Sequence, residues 1–187
     1  MKSTYVHILK NKFFLISLAI FIMGIFLRVY HITDRPLHHD ESLHGIYGKY
    51  FYYDKHNGFY QYNPLLHGPL LYHILPFIYK VLGISKFSLR ILPLVLGSLL
   101  ILSPLLMRRF LSKTAIILAM IWMALSPNLI YWSRFLRHDL LVIGTLFLMG
   151  VALTLKSTKR IYLFIISLSI HMCIKENYYV HIAIFLG

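Results

Sequence analysis

The residues of this 187-residue chain best suited to chemistry stand in one short run, His38-His39-Asp40-Glu41-Ser42-Leu43-His44. A carboxylate placed there can take a proton from a hydroxyl and act as a general base. Asp40 and Glu41 are adjacent, so on a helix their side chains diverge by about 100° and cannot share one proton as a facing dyad would. Only one of them points at a substrate. With a helix starting near Pro36, Asp40 falls in its first turns, where the macrodipole favours a carboxylate ready to accept a proton. Asp40 and His44 are four apart and could also ligate a divalent metal from one face. Two ligands are not a site, and His138, Asp139 or Glu176 would have to complete it.

Two later stretches offer complementary groups. In Ser133-Arg134-Phe135-Leu136-Arg137-His138-Asp139, Arg134 and Arg137 straddle one helical turn beside His138 and Asp139. Guanidinium groups stay charged and bind phosphate through paired hydrogen bonds, which suits a departing phosphate; anchoring a helix end in water is the other reading. Lys175-Glu176 ends an apolar stretch, 161–174, whose rise of about 21 Å falls short of the roughly 30 Å of a bilayer's hydrocarbon. A charge pair held below the membrane surface normally lines a cavity or pathway.

The elements that must position these groups are apolar. Hydrophobic residues make up 58% of the chain and charged ones 13%, a composition that excludes an ordinary soluble domain and predicts an all-α, polytopic membrane protein. The net charge of +13 does not imply nucleic acid, because the Lys and Arg residues gather at the ends of apolar runs, where topology and lipid phosphates account for them. Cys173, the single cysteine, allows no intrachain disulfide or thiolate cluster and reads as packing.

A first helix is predicted over 13–30, uncleaved, with Arg28 snorkelling outward. An outer loop, 31–88, follows. It holds a surface helix near 37–53, a turn at Lys55-His56-Asn57-Gly58, and tyrosines and phenylalanines that suit the headgroup belt or could stack on a sugar. Residues 65–82 are apolar but carry His67, Gly68, Pro69, His73, Pro76 and Lys80, which points to a helix lying in the interface. Spans are expected at 91–107, 114–132, 140–155 and 161–174; an apolar run at 178–187 stops short of crossing and gives the chain a truncated look. No internal repeat or low-complexity tract is present.

Topology follows from the basic clusters. With the N-terminal lysines inside, Arg108, Arg109 and Lys113, and later Lys156, Lys159 and Arg160, are also inside only if one of 65–82 and 91–107 does not cross, and the proline- and histidine-bearing 65–82 is taken as the surface helix. That arrangement puts all six carboxylates, Asp34, Asp40, Glu41, Asp54, Asp139 and Glu176, on one outer face.

Several ordered motifs then carry a resemblance. Arg28 to Ser42, Pro64-Leu-Leu-His-Gly-Pro-Leu-Leu-Tyr, Ser88-Leu-Arg-Ile-Leu-Pro, Ser126-Pro with Ser133 to Asp139, and Lys175-Glu-Asn resemble the N-terminal part of a GT-C glycosyltransferase, closest to the dolichyl-phosphate-mannose protein mannosyltransferase-like proteins of archaea and bacteria, including their flippase-associated group. The resemblance implies a membrane enzyme that moves a sugar from a polyprenyl- or dolichyl-phosphate donor to an acceptor hydroxyl on protein, glycan or lipid, outside the cytoplasm of a prokaryote. It assigns catalysis to Asp40 with Glu41, and substrate binding to Arg134, Arg137, His138, Asp139, Lys175 and Glu176. No cofactor is firmly implied, although a divalent metal remains compatible, and the family's further helices and C-terminal domain are missing, so this piece alone need not be active. The alternatives are a lipid or ion translocator working through Lys175-Glu176, and a non-catalytic membrane subunit or fragment.

Overall fold

The computed structural model describes residues 12–53 and 67–186. The regular elements there are all α-helical: α1 (Lys12–Val29), α2 (His39–Tyr53), α3 (Leu70–Leu82), α4 (Lys86–Leu100), α5 (Ser103–Leu106), α6 (Lys113–Leu125), α7 (Pro127–Trp132), α8 (Asp139–Thr154), α9 (Lys159–Met172) and α10 (Tyr178–Leu186). Asp54, the turn at 55–58 and the aromatic residues at 59–62 lie outside the described residues.

Local chemistry sets most of the boundaries. Ser85 and Ser88 form a reciprocal capping box that starts α4 five residues before the expected Ile91, and the Ser112 hydroxyl accepts the Ala115 N–H at the start of α6. Gly83, at φ 72°, closes α3 by donating its N–H to the Tyr79 carbonyl. The stretch 114–132, expected as one span, is instead two helices. Pro127 has no N–H and disfavours the helical region for its predecessor, so Ser126 turns to ψ 118° and α6 ends there.

That break leaves carbonyls at the end of α6 without helical partners, and Arg28 satisfies them. Its Nη1 and Nη2 donate to Ala124 O at 3.3 Å and Met123 O at 2.9 Å, while Nε donates to Ser133 Oγ at 3.0 Å. The expected snorkelling is therefore corrected: Arg28 is 0% exposed and ties α1 to the start of the 133–138 segment. At Gly24 of α1 a Cβ would come within 2.3 Å of Ile101 Cδ1, so only glycine permits this approach.

Two apolar clusters hold the helices. Ile20 of α1 packs with Ile101 and with Ile116, Met120 and Ala124 of α6. Leu71, Leu75 and Tyr79 of α3 pack with Leu89, Leu136, Leu141 and Ile174. The second cluster gathers the segments that carry His67, Arg137, His138 and Lys175 around one end of the bundle. By length and composition α1 can cross a bilayer alone, whereas α3 and α4 qualify only as one span bent by 120°, and α6 and α8 are apolar but shorter.

Candidate functional site

The start of α2 explains how two neighbouring acids acquire different jobs. The His38 ring Nδ1 accepts the Asp40 N–H at 3.2 Å, and the Glu41 carboxylate accepts the His38 N–H at 3.1 Å, the reciprocity of a capping box with histidine at the cap. This turns Glu41 inward. Its Oε1 accepts from Arg90 Nε at 2.9 Å and from the Leu136 N–H at 3.3 Å; its Oε2 accepts from Arg90 Nη2 at 2.9 Å and Arg35 Nη2 at 3.0 Å. Burial pushes the Glu41 carboxyl up. Hydrogen bonds from Arg90 and His38 and the charges of Arg90 and Arg35 outweigh it and hold the group below its ordinary value. Arg90, itself buried, also donates to the carbonyls of Ile32, Arg35 and Pro36. The loop that delivers Asp40 is thus fastened to α4 through one buried ion pair.

Asp40 points the other way and is 34% exposed. Arg137 Nε lies 3.7 Å from Asp40 Oδ2 and 3.4 Å from Asp139 Oδ2, bridging the two acids. Behind them sits an imidazole cluster: the His138 ring meets His44 at 5.0 Å and His67 at 5.4 Å, edge to face. His44 Nδ1 shares a hydrogen bond with the Tyr72 hydroxyl, and His67 Nδ1 donates to Glu176 Oε2 at 3.0 Å. His67 takes the left-handed φ of 62°, a costly conformation for a non-glycine residue. Gly68 N–H to Ile174 O and Leu70 N–H to Cys173 O hold the strand of chain beside it.

Burial lowers His44 to about 4, and burial with the nearby His44, His67, Lys175 and Arg137 lowers His138 to about 3. Both rings are therefore neutral at pH 7. Neither His138 nitrogen has a hydrogen-bond partner among the described residues, so the ring offers one donor and one acceptor to whatever enters. The unfolded chain protonates these histidines near 6.5 and the folded chain resists. Their contribution to stability is complete above that value and falls away as pH drops toward 4 and 3. Stability is expected to fall by roughly 1 kcal/mol between pH 7 and pH 6, read as the thermal midpoint, with the slope reduced in His44→Gln and His138→Gln.

The expected site residues divide. Asp40, Arg137 and Asp139 meet directly, His138 lies beside them against the His44 and His67 rings, and Glu176 joins through His67, with Lys175 near enough to act on His138. The expected Lys175-Glu176 pair is not formed: Glu176 pairs with His67, and Lys175 has no ion-pair partner among the described residues. Arg134 separates from Arg137. Its Nη2 donates to His31 O at 2.7 Å, and it lines a different cavity with Arg35 and Arg90. Sequence reasoning missed the roles of Arg90, Arg35, His67 and Tyr72. Arg90 had a usable signal, a cation inside an apolar run whose buried partner had to come from very few carboxylates. Among the described residues no three donors are disposed to hold a metal ion. No family model, curated protein or solved structure matches the chain.

Proposed function

We propose that the chain carries the reacting face of a membrane glycosyltransferase of the GT-C kind, which moves a sugar from a polyprenyl- or dolichyl-phosphate donor to an acceptor hydroxyl. The observation that carries this reading is the pairing of a solvent-facing carboxylate, Asp40, with a bridging Arg137 beside two neutral buried imidazoles. In a single displacement the acceptor oxygen forms a bond to the anomeric carbon as the carbon–oxygen bond to phosphate breaks. Asp40 takes the hydroxyl proton. The leaving lipid phosphate gains one negative charge, which Arg137 and Lys175, a cation without an ion-pair partner among the described residues, offset. His138, with both nitrogens unsatisfied among the described residues, hydrogen-bonds sugar hydroxyls, and Glu41 acts as a positioning residue.

Several features support a bilayer setting. The buried stripe of α1 is Ser17, Ile20, Gly24 and Arg28, while Phe14, Ile22 and Phe26 are 43%, 57% and 59% exposed. Small and polar residues face the protein and large apolar ones face out, as packing in lipid favours. The 120° turn between α3 and α4 leaves α3 about 60° from an upright α4, so it would climb only about 10 Å of a roughly 30 Å hydrocarbon layer. It is read as a surface helix. A cavity of about 510 Å³, lined by Leu99, Leu105, Leu140, Phe147 and Leu148, starts one residue from Asp139 and is apolar enough for an isoprenoid tail. On this reading the N-terminus is cytoplasmic and the site faces outward from a prokaryotic plasma membrane.

The test is to incubate membranes containing the native-length protein with labelled polyprenyl-phosphate sugar. Label is expected to leave the lipid and appear on an acceptor. Movement of the intact lipid-linked sugar across the bilayer, with no glycosidic bond broken or made, would replace a transferase with a translocator.

A further inference from the structure

On the far side of Glu41 from Asp40 lies a cavity of about 480 Å³ that the proposed reaction does not use. One wall is apolar, with Ile32, Leu125 and Ile130; the other carries Arg35, Arg90, Arg134 and Tyr131. Three guanidiniums meet there with one carboxylate, Glu41, which is already fully bonded by Arg90, Arg35 and two backbone N–H groups. The other nearby acid, Asp34, pairs with His31. Arg35 uses only Nη2, toward Glu41 and the Arg134 carbonyl, and Arg134 uses only Nη2, toward His31 O, so each keeps Nε and Nη1 free of acceptors among the described residues. The Arg35 guanidinium is held in place against the Tyr131 and Phe135 rings, 5.0 and 5.2 Å from their centroids. Burial and the like charges of Arg35 and Arg90 hold the Arg134 guanidinium below its ordinary value. Among the described residues no carboxylate lines the cavity.

It is built from different side chains than the proposed reaction site. Arg134 bonds His31 O and lines the cavity with Arg35 and Arg90, whereas Arg137 bridges Asp40 and Asp139. Leu125 of the apolar wall and Tyr131 of the arginine wall are both exposed, so the cavity's rim carries apolar and aromatic surface. A ligand that matches both walls joins a tetrahedral oxyanion to a hydrocarbon body.

We infer that this cavity is a second binding site, taking the phosphate-ester head group of a membrane lipid between Arg35 and Arg134, with the lipid body along Ile32, Leu125 and Ile130. Paired N–H donors on two rigid guanidiniums suit phosphate oxygens. Occupancy offsets the surplus positive charge, so it stabilises the fold as any ligand selective for the native state does. Because Arg35 also bonds Glu41, the bound head group braces the loop that presents Asp40.

The test uses the full chain in mild detergent, titrated separately with phosphatidic acid, with phosphatidylcholine and with inorganic phosphate. Retained lipid is counted by native mass spectrometry and the thermal midpoint is followed in parallel. Phosphatidic acid is expected to be retained about tenfold better than phosphatidylcholine and to raise the midpoint. Arg134→Gln, which removes one exposed hydrogen bond and no buried pair, is expected to lower retention by about tenfold and abolish the rise; Arg134→Lys, which keeps the charge but not the fork, is expected to recover part of both. Protection by inorganic phosphate equal to that by lipid supports the oxyanion site and assigns it to a soluble ion. Undiminished retention in Arg134→Gln overturns the inference. Loss in Arg137→Gln with none in Arg134→Gln also overturns it, by moving the lipid to the reaction site, and leaves the proposed transferase untouched.

Discussion

Replacing Asp40 by Asn is expected to lower sugar transfer by about 10² to 10⁴-fold, the usual contribution of a positioned general base, with the fold and lipid-donor binding retained. The asymmetry follows from where the side chain sits. Asp40 is 34% exposed, and its contacts are Arg137 at 3.7 Å and His38 at 4.0 Å. Neither is a hydrogen bond in geometry, so the amide removes a charge without opening a buried network. Arg137 keeps Asp139 at 3.4 Å and stays in position. The measurement is initial transfer rate with labelled polyprenyl-phosphate sugar in purified membranes, alongside the thermal midpoint and donor retention. A loss in rate with an unchanged midpoint is the expected pair. Near-normal turnover would remove Asp40 from the role of base and leave the bridging arginine without a reaction to serve.

The sequence reading could reach Asp40 but could not sort its neighbours, and the reason is physical. Scarcity made the acidic run conspicuous, and Pro36 marked where its helix had to begin. Adjacency implied that Asp40 and Glu41 diverge. Which one turns inward depends on His38 serving as the cap and on Arg90, 49 residues away, arriving beneath it. Nothing local encodes that meeting. The separation of Arg134 from Arg137 shows a different failure. Spacing of three puts two residues on one face only if the backbone is helical, and residues 133–138 lie between α7 and α8 in irregular chain. Pro127 was visible as a helix breaker, yet the apolar run resumes at Leu129, after Ser126-Pro127-Asn128, so 114–132 still reads as one span. The consequence of the break, free carbonyls that call for Arg28, belongs to tertiary structure.

The ion pair behind Asp40 should show itself as a coupled unit. Glu41→Gln is expected to destabilise the protein by about 3 to 5 kcal/mol, because removing one partner of a buried pair leaves the other charge uncompensated; here Arg90 is 0% exposed and makes two of its bonds to this carboxylate. Arg90→Met should cost a similar amount, since it strands Glu41 with Arg35 as its one remaining cation and frees the carbonyls of Ile32 and Pro36. The double variant removes both charges, and its cost should fall short of the sum of the singles by about 2 kcal/mol or more. Stability against heat or denaturant in detergent gives the cycle, and transfer rate measured on the same samples gives its meaning. Rate and stability should fall together in each single variant, because Glu41 meets the loop and not the sugar. Were Glu41→Gln to lose transfer at full stability, the carboxylate would be touching substrate, and the two acids would share the chemistry. The lowered carboxyl of Glu41 adds a check on sign. Its contribution is present at neutral pH and is lost as pH falls from the ordinary carboxylate range through that lowered value, so acid should begin to remove the imidazole contribution before it begins to remove that of the ion pair.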